Sequence, residues 1–335
     1  MRSMAGLVSR SDDGNGDQAP SRDSAHNAVA PRQIPARGWG LLLRRAARHA
    51  LASRLPLLSA GIAFFAVLSI APVLVTALSV YGAVNTPAQA LEQLSRVAEM
   101  LPTQLQPIVA DQLTSITTAS TRVLTVRGLA GLVIALCTAT TAMTSLIDAL
   151  TVAYHETETR GFLRRSVVAV AFVLGGALLL GAVISLAGMA SRALRDAPEL
   201  VRTVAPVFIW LVLAVLMSAV LAVLYRYAPD RKQARWRWIS GGAIGATTLW
   251  LAMSVALFVY VQRLGTYEST YGSLAGVAIS MFWLWLSVLL VVAGAAVNGD
   301  AERQTVRDST VGVERPLGER GAVVADSAPP FPGEP

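Results

Sequence analysis

Residues 166–191, SVVAVAFVLGGALLLGAVISLAGMAS, contain no Asp, Glu, Lys or Arg. A helix of this length would extend for about 39 Å, more than the roughly 30 Å of hydrocarbon in a bilayer. The stretch is apolar on all sides, whereas the strands of a membrane barrel alternate in polarity over about ten residues. It therefore predicts a helix that crosses a membrane.

Five further stretches lack the same four residue types and are long enough to span a bilayer. They lie at 55–91, 128–147, 203–225, 238–262 and 269–299. Because the backbone must satisfy its own hydrogen bonds in lipid, all of them are expected to be helical. The predicted fold class is all-α, a polytopic membrane protein whose transmembrane domain covers 37–303. Its six transmembrane helices are expected at about 57–80, 128–147, 166–190, 204–225, 239–261 and 274–298.

The composition agrees with a membrane protein and argues against other classes. Apolar residues make up 54% of the chain and charged residues 15%, against about 25% charged in soluble domains. A soluble enzyme, a disulfide scaffold and a disordered chain are all excluded on this basis. The net charge of +7 is carried by arginines spread around the span ends, which predicts a role in topology and no nucleic-acid partner.

The segments outside the spans are expected to be of three kinds. Residues 1–36 and 304–335 are polar and are predicted to be disordered tails. Residues 38–54, GWGLLLRRAARHALASR, predict an N-terminal amphipathic helix with Trp39, Leu42 and Leu43 on its apolar side. Residues 82–126 predict an external helical hairpin between spans one and two.

Basic residues near the span ends predict the orientation. More of them flank the ends on the side of the two termini than flank the other side. Since cytoplasmic loops are enriched in Lys and Arg, both termini are expected in the cytoplasm, with the protein in the bacterial inner membrane. Within span five, the Gly241/Gly245 pair predicts close internal helix packing in preference to dimerisation.

Candidate functional residues lie at the membrane boundaries. Asp148, Glu156 and Arg160 belong either to a solvated loop or to a latch in which Asp148 pairs with a loop arginine. Tyr267, Thr270 and Tyr271 are either interfacial anchors or the lip of a cavity, and Asn298 is a polar group near the end of span six. Basic residues at the cytoplasmic face are candidates for contact with anionic lipid headgroups: Arg44, Arg45, Arg48, Arg231 and Arg235.

Catalytic patterns are sparse. The histidines are His26, His49 and His155, and their positions do not predict a multi-histidine metal site. No glycine-rich phosphate loop followed by Lys and Ser or Thr occurs. We therefore expect a protein that is not an enzyme and that needs no cofactor.

Three blocks of sequence carry a resemblance to a known family. AGIAFFAVLSIAPVL at 60–74, LIDALTVAYHETETRGFLRR at 146–165 and the STYGS motif at 269–273 resemble the YihY/BrkB family of bacterial inner-membrane proteins. The resemblance extends over about 40–303. It implies six helices and a link to envelope integrity, and some members carry a ribonuclease BN label that the histidine inventory argues against. The family usually has Glu where Ala296 stands, so a proton-coupling role is not expected at that position.

Two functional hypotheses follow, with membrane lipids as expected partners and the oligomeric state left open. The first is a protein that moves a lipid or amphiphile of the envelope. The second is a non-catalytic scaffold that binds envelope proteins through its external hairpin and tails. A third, an intramembrane enzyme that uses Asp148 and Glu156, is kept only as a minor alternative.

Overall fold

The computed structural model describes residues 30–34, 36–84, 121–195, 197–263, 273–305 and 307–327. The predicted external hairpin therefore lies outside the described residues, apart from the helix ends on either side of it. The same is true of most of the N-terminal tail and of Tyr267, Thr270 and Tyr271.

Within these ranges the regular structure is helical, with a bridge between Ala234 and Thr310 as its β pairing. A 3-10 turn at Pro31–Gln33 precedes the α-helices. The helices are α1 (Ala36–Ala52), α2 (Leu55–Val84), α3 (Thr121–Ala153), α4 (Phe162–Arg195), α5 (Glu199–Tyr227), α6 (Trp236–Arg263), α7 (Ser273–Glu302) and α8 (Val323–Asp326). Six of them, α2 to α7, are long and apolar enough to cross a membrane, which confirms the all-α, six-span prediction.

These six helices extend beyond the predicted spans. The α3 helix begins at Thr121 and ends at Ala153, whereas the charge-free run covers only 128–147. It includes Arg127 and Asp148, which therefore do not mark helix ends. A long charged side chain can reach the polar headgroup region from inside a helix, so the first charge is a poor indicator of where a helix stops.

The six spans form an open ring. Going around it, α4 packs against α3, α3 against α2, α2 against α7, α7 against α6, and α6 against α5. The two ends of this series, α4 and α5, are consecutive in the chain but make few contacts with each other. The ring therefore has one loosely closed side, between α4 and α5.

Buried residues concentrate at one end of the bundle. We call this the basic end; it comprises α1, the loops at 154–161 and 228–235, and residues 303–327. In α5, for example, the buried residues are Leu221, Ala222, Leu224 and Tyr225, all in its last two turns. Toward the other end, α4 and α5 expose most of their apolar side chains, which would contact lipid in a membrane.

The α6–α7 interface depends on glycine. A Cβ atom on Gly242 would lie 2.4 Å from the carbonyl oxygen of Gly294, so no larger residue fits without a backbone shift. By contrast, nothing lies within 4 Å of a Cβ atom placed on Gly245, and Gly241 is exposed. The sequence therefore predicted the correct helix but the wrong face, because small residues occur on both sides of it.

Two tryptophans hold α6 and α7 together further along. The indole N–H of Trp250 in α6 donates to Ser287 of α7 at 2.9 Å, and that of Trp283 in α7 donates to Ser254 of α6 at 3.1 Å. An indole N–H left unpaired in hydrocarbon is costly. The two bonds, which run in opposite directions, therefore fix the register of this helix pair.

The α1 helix packs on the bundle instead of lying free on a surface. Leu42 is 1% exposed and contacts a cluster with Trp238 and Ala301, against α6 and α7. Leu43, predicted to share the apolar side, is 51% exposed. Positions 42 and 43 are about 100° apart on a helix, so only one of them faces the bundle.

The structure differs from the predicted C-terminal disorder between 304 and 327. The backbone of Val311 donates to Gln233 and that of Arg235 donates to Ser309, so this segment pairs with the α5–α6 loop. Val324 is fully buried, and Asp326 accepts hydrogen bonds from three backbone amides. Polar composition suggested a tail, but here the polar side chains bond to the polar end of the bundle.

The α6–α7 contact yields a matched pair of variants. Gly242→Ala should overpack the interface and destabilise the protein by about 2 kcal/mol, whereas Gly245→Ala should be neutral or slightly stabilising. Thermal unfolding in detergent, followed by tryptophan fluorescence, measures both. Equal midpoints for the two variants would contradict this account of the interface.

Candidate functional site

The basic end is organised around a buried ion pair. The guanidinium of Arg231, in the α5–α6 loop, contacts both carboxylate oxygens of Glu302 at the end of α7, at 2.6 and 2.9 Å. Their side chains are 2% and 1% exposed. Ser309 donates a further hydrogen bond to Glu302, and the Arg231 guanidinium lies 5.0 Å from the ring centre of Tyr154. The pair therefore joins segments that are distant in sequence.

Asn298 forms a second buried polar centre, one turn earlier in α7. Its side-chain oxygen accepts from the Gly242 amide at 2.7 Å, and its amide group donates to the Ile239 carbonyl at 2.9 Å. Both partners lie in the first two turns of α6. With its polar atoms paired to the α6 backbone, Asn298 acts as a clamp between α6 and α7.

The structure contradicts part of the predicted headgroup contact set. Arg231 is paired with Glu302 and its side chain is 2% exposed, so it is not available to a headgroup. The Nε atom of Arg235 donates to the Thr310 carbonyl at 3.0 Å, but this side chain is partly exposed and its contact with a headgroup stays a prediction. Arg44 and Arg48 on α1 are exposed, as a headgroup contact requires. Arg45 is half-buried, with its Nη1 atom enclosed and without a hydrogen-bond partner among the described residues.

Asp148 occupies the position that the latch interpretation requires. One of its carboxylate oxygens lies 3.1 Å from Nη1 of Arg165, in the first turn of α4. The partner is thus a helix residue and not a loop arginine. Both side chains are about one-third exposed, so the pair is partly screened by solvent.

Arg160 belongs to a charge network between two loops. Its Nε and Nη2 atoms donate to the two carboxylate oxygens of Glu158, at 2.7 and 2.8 Å. Nη2 also donates to the Ala228 carbonyl. Asp230, from the α5–α6 loop, accepts from the amide and hydroxyl of Thr159. Burial alone would raise the pKa of Asp230, but these hydrogen bonds and the Arg160 charge outweigh it and hold that pKa below its ordinary value.

Glu156 contacts the C-terminal segment, whereas a shared catalytic role would require it to lie near Asp148. Its carboxylate accepts from the Val323 amide at 2.6 Å, at the start of α8. Burial raises the pKa of Glu156, although the Val323 hydrogen bond and the Arg231 charge oppose that shift. Asp148 and Glu156 thus have separate partners, which gives no support to a shared catalytic role.

Two histidines from distant parts of the sequence stack at the contact between α1 and the bundle. The rings of His49 and His155 have centroids 3.7 Å apart. His49 Nε2 lies 3.1 Å from the Val152 carbonyl, so this nitrogen carries the proton, and Nδ1 can accept from Ser53. Burial lowers the pKa of His49, and the nearby His155 lowers it further.

His155 stands between opposite charges. Its Nε2 atom lies 3.4 Å from an Asp300 oxygen and 3.4 Å from a nitrogen of Arg303. Its backbone has a φ of 60°, in the left-handed region, and it ends α3 there, with its own amide and the next one donating to the Val152 and Thr151 carbonyls. Glycine usually takes this place, although histidine is among the residues that enter the left-handed region more often than most.

A lateral groove runs between α4 and α5 at the loosely closed side of the ring. It consists of two overlapping cavities, of about 430 and 580 Å³, which share Gly176, Leu179 and Val220. Trp250 of α6 lines its inner part and Tyr227 its end at the basic end. Its walls are almost wholly apolar, which suits a hydrocarbon chain.

Sequence reasoning missed Glu302, Asp300 and the histidine stack. Glu302 and Arg231 each flank a span at the same end of the bundle. Their opposite charges could have suggested from the sequence that they pair. Nothing in the sequence places His49 beside His155. Among the described residues, no group of three or more His, Cys, Asp or Glu is arranged to hold a metal ion.

Comparison with known proteins identifies relatives. The family model "Virulence factor BrkB" matches residues 46–316. The chain is 29% identical to the ribonuclease-like protein YfkH of Bacillus subtilis over 50% of its own length and 63% of that protein's. It is 29% identical to a UPF0761 membrane protein of Nitrosospira multiformis over 72% of the chain and 56% of the relative.

A UPF0761 membrane protein of Bordetella petrii is 28% identical over 84% of the chain and 62% of its own length. The chain thus spans less than two thirds of the length of these curated relatives. No solved structure shows a significant match to the chain.

The buried ion pair predicts a strong effect of removing one partner. Glu302→Ala would leave the Arg231 charge buried and unpaired, at a cost of about 3 kcal/mol. Glu314→Ala, which removes an exposed carboxylate from the same segment, should cost little. Thermal unfolding in detergent compares the two, and a Glu302→Ala midpoint equal to that of Glu314→Ala would refute the structural role. The double variant Arg231→Met/Glu302→Leu should recover most of the loss.

The histidine stack predicts that docking of α1 depends on pH. In the folded protein the pKa of His49 is lowered from 6.5. The stabilisation that neutral His49 gives to α1 docking is therefore fully present above pH 6.5, and it is lost as the pH falls through the pKa of the folded state. Protonated His49 would face His155 and Arg303, with Asp300 only partly compensating. The protection factors of the α1 amides, which are exchange rates corrected for the intrinsic pH dependence of amide exchange, should therefore fall below pH 6.5 in the native protein. In His49→Gln, which keeps an N–H near Val152, the fall in protection should be smaller; an identical pH profile would contradict the prediction.

Proposed function

The chain belongs to the virulence factor BrkB family of multi-pass membrane proteins, and from this premise we propose that it moves a lipid or another amphiphile of the cell envelope. The proposal is supported chiefly by the α4–α5 groove. A groove that is lined by apolar side chains and faces the surrounding bilayer offers an amphiphile's tail a path along the protein.

The distribution of charge also supports this proposal. The exposed Arg44 and Arg48 on α1 would attract anionic headgroups, at about 1 kcal/mol for each residue near the surface. The bundle is tightly packed at the basic end and loosely closed between α4 and α5. Movement of α4 away from α5 would widen the groove without breaking the buried ion pair.

We also infer that the protein lies in the bacterial inner membrane with its basic end in the cytoplasm. The excess of arginine at that end supports this orientation, because positively charged loops are retained on the cytoplasmic side. An epitope added at the C-terminus would then be open to protease only in inside-out vesicles. Protection in such vesicles would reverse the assignment.

A reconstituted system tests movement directly. The protein is placed in liposomes that contain fluorescent phosphatidylglycerol, and dithionite bleaches the label in the outer leaflet. We expect the bleached fraction to exceed the outer-leaflet share. Gly176→Leu, which fills the groove, should abolish the excess, whereas Gly181→Leu, on the same helix but outside the groove lining, should retain it.

Two results would count against this function. Bleaching equal to that of protein-free liposomes would refute lipid movement for the lipid tested. Equal activity of Gly176→Leu and native protein would show that the groove is not the path. If crosslinking from residues 87–120 then captured a reproducible envelope protein, the scaffold hypothesis would be preferred.

A further inference from the structure

We propose that the α4–α5 groove is a binding site for an anionic phospholipid, with an acyl chain in the groove and the phosphate at Arg226. The inference rests on the proposed function and deepens it, because it names the class of lipid and the residue that selects it. Arg226 was not among the candidate residues identified from the sequence.

The groove has the dimensions of one acyl chain. Along α4 its lining runs from Ala171 to Val183, which corresponds to about 18 Å of helix axis. Half of the hydrocarbon core of a bilayer is about 15 Å thick. A single chain could therefore fill the groove from the basic end to the middle of the membrane.

Arg226 stands where that chain would meet its headgroup. Val223 and Tyr227 line the groove near the basic end, and Arg226 adjoins that end without lining it. Its guanidinium carbon is 5.6 Å from the ring centre of Tyr227 and 4.4 Å from that of Trp236. These aromatic contacts hold the charge at the end of an otherwise apolar groove.

The charge of Arg226 is not neutralised within the described part of the chain. No carboxylate there lies within 4 Å of it, unlike Arg160, Arg165 and Arg231, which all have acidic partners. Its Nε and Nη1 atoms are enclosed and have no hydrogen-bond acceptor among the described residues. The third nitrogen, Nη2, is not enclosed, so it can donate one charge-assisted hydrogen bond to a phosphate.

The combination favours a phospholipid over other anions. A free phosphate would use Arg226 but not the groove, and phosphatidylcholine would bring the positive charge of its choline group close to the Arg226 guanidinium. An anionic phospholipid uses both Arg226 and the groove, because its phosphate and its acyl chain are covalently joined. Trp236 and Tyr227 would pack beside its glycerol region, where aromatic residues are enriched in membrane proteins.

Native mass spectrometry of the full chain in detergent tests the site. The probes are phosphatidylglycerol, phosphatidylcholine with the same chains, and glycerol 3-phosphate without chains. We expect phosphatidylglycerol to bind about tenfold more tightly than phosphatidylcholine, because the choline cation opposes the charge of Arg226. Glycerol 3-phosphate should not compete at comparable concentration.

The variants separate the two halves of the site. Arg226→Gln should remove the preference for phosphatidylglycerol, whereas Arg237→Gln, which removes an exposed arginine with no aromatic contact among the described residues, should keep it. Gly176→Leu should weaken the binding of both lipids, and Gly181→Leu should not. Thermal midpoints near that of the native protein establish that each variant is folded. Because the groove and the charge are tested by different variants, misfolding of one leaves the other informative.

The proposal is overturned if phosphatidylcholine binds as tightly as phosphatidylglycerol, if Arg237→Gln has the same effect as Arg226→Gln, or if glycerol 3-phosphate displaces the lipid. Its failure is distinguishable from failure of the proposed function. Selective binding without movement in liposomes would refute transport and keep the site. Movement in liposomes together with equal binding of phosphatidylcholine and phosphatidylglycerol would refute the site and keep transport.

Discussion

The ion pair between Arg231 and Glu302 is the interaction on which the basic end depends. Two charges withdrawn from water to 2% and 1% exposure are tolerated only when they satisfy each other. Here the pair also contacts Ser309 and Tyr154, so the α5–α6 loop, the end of α7, the C-terminal segment and the end of α3 meet at one point. Much of what surrounds it, including the Asn298 clamp, is arranged around the same helix end.

The two sides of the ring differ in how their helices are joined. The α6–α7 pair is held by glycine contact, by Asn298 and by two tryptophan–serine bonds. The α4 and α5 helices have no comparable contacts with each other in the described ranges, and the groove lies between them. This difference supports the proposal that a lipid enters the protein from the side, between α4 and α5.

The six spans could be predicted from the sequence because a run of twenty or more residues without charge rarely occurs outside a membrane-spanning helix. The helix ends could not, since Arg127 and Asp148 lie inside α3. The burial of Arg231 in an ion pair could not be predicted either, because an arginine that binds a headgroup and one that binds a buried partner look identical in a single sequence. Glycines lie on two faces of α6, and only packing against α7 shows which face is in contact. In the same way, only the folded structure brings His49 beside His155.

The position of α7 in the ring also bears on how the protein is made. Ribosomal synthesis produces α2 to α6 first, so Arg231 and the α6 backbone groups that bind Asn298 are made before their partners exist. The α7 helix is then placed between α2 and α6, and its arrival completes the polar contacts at the basic end. Until α7 is made, these polar groups lack the partners that they have in the folded protein.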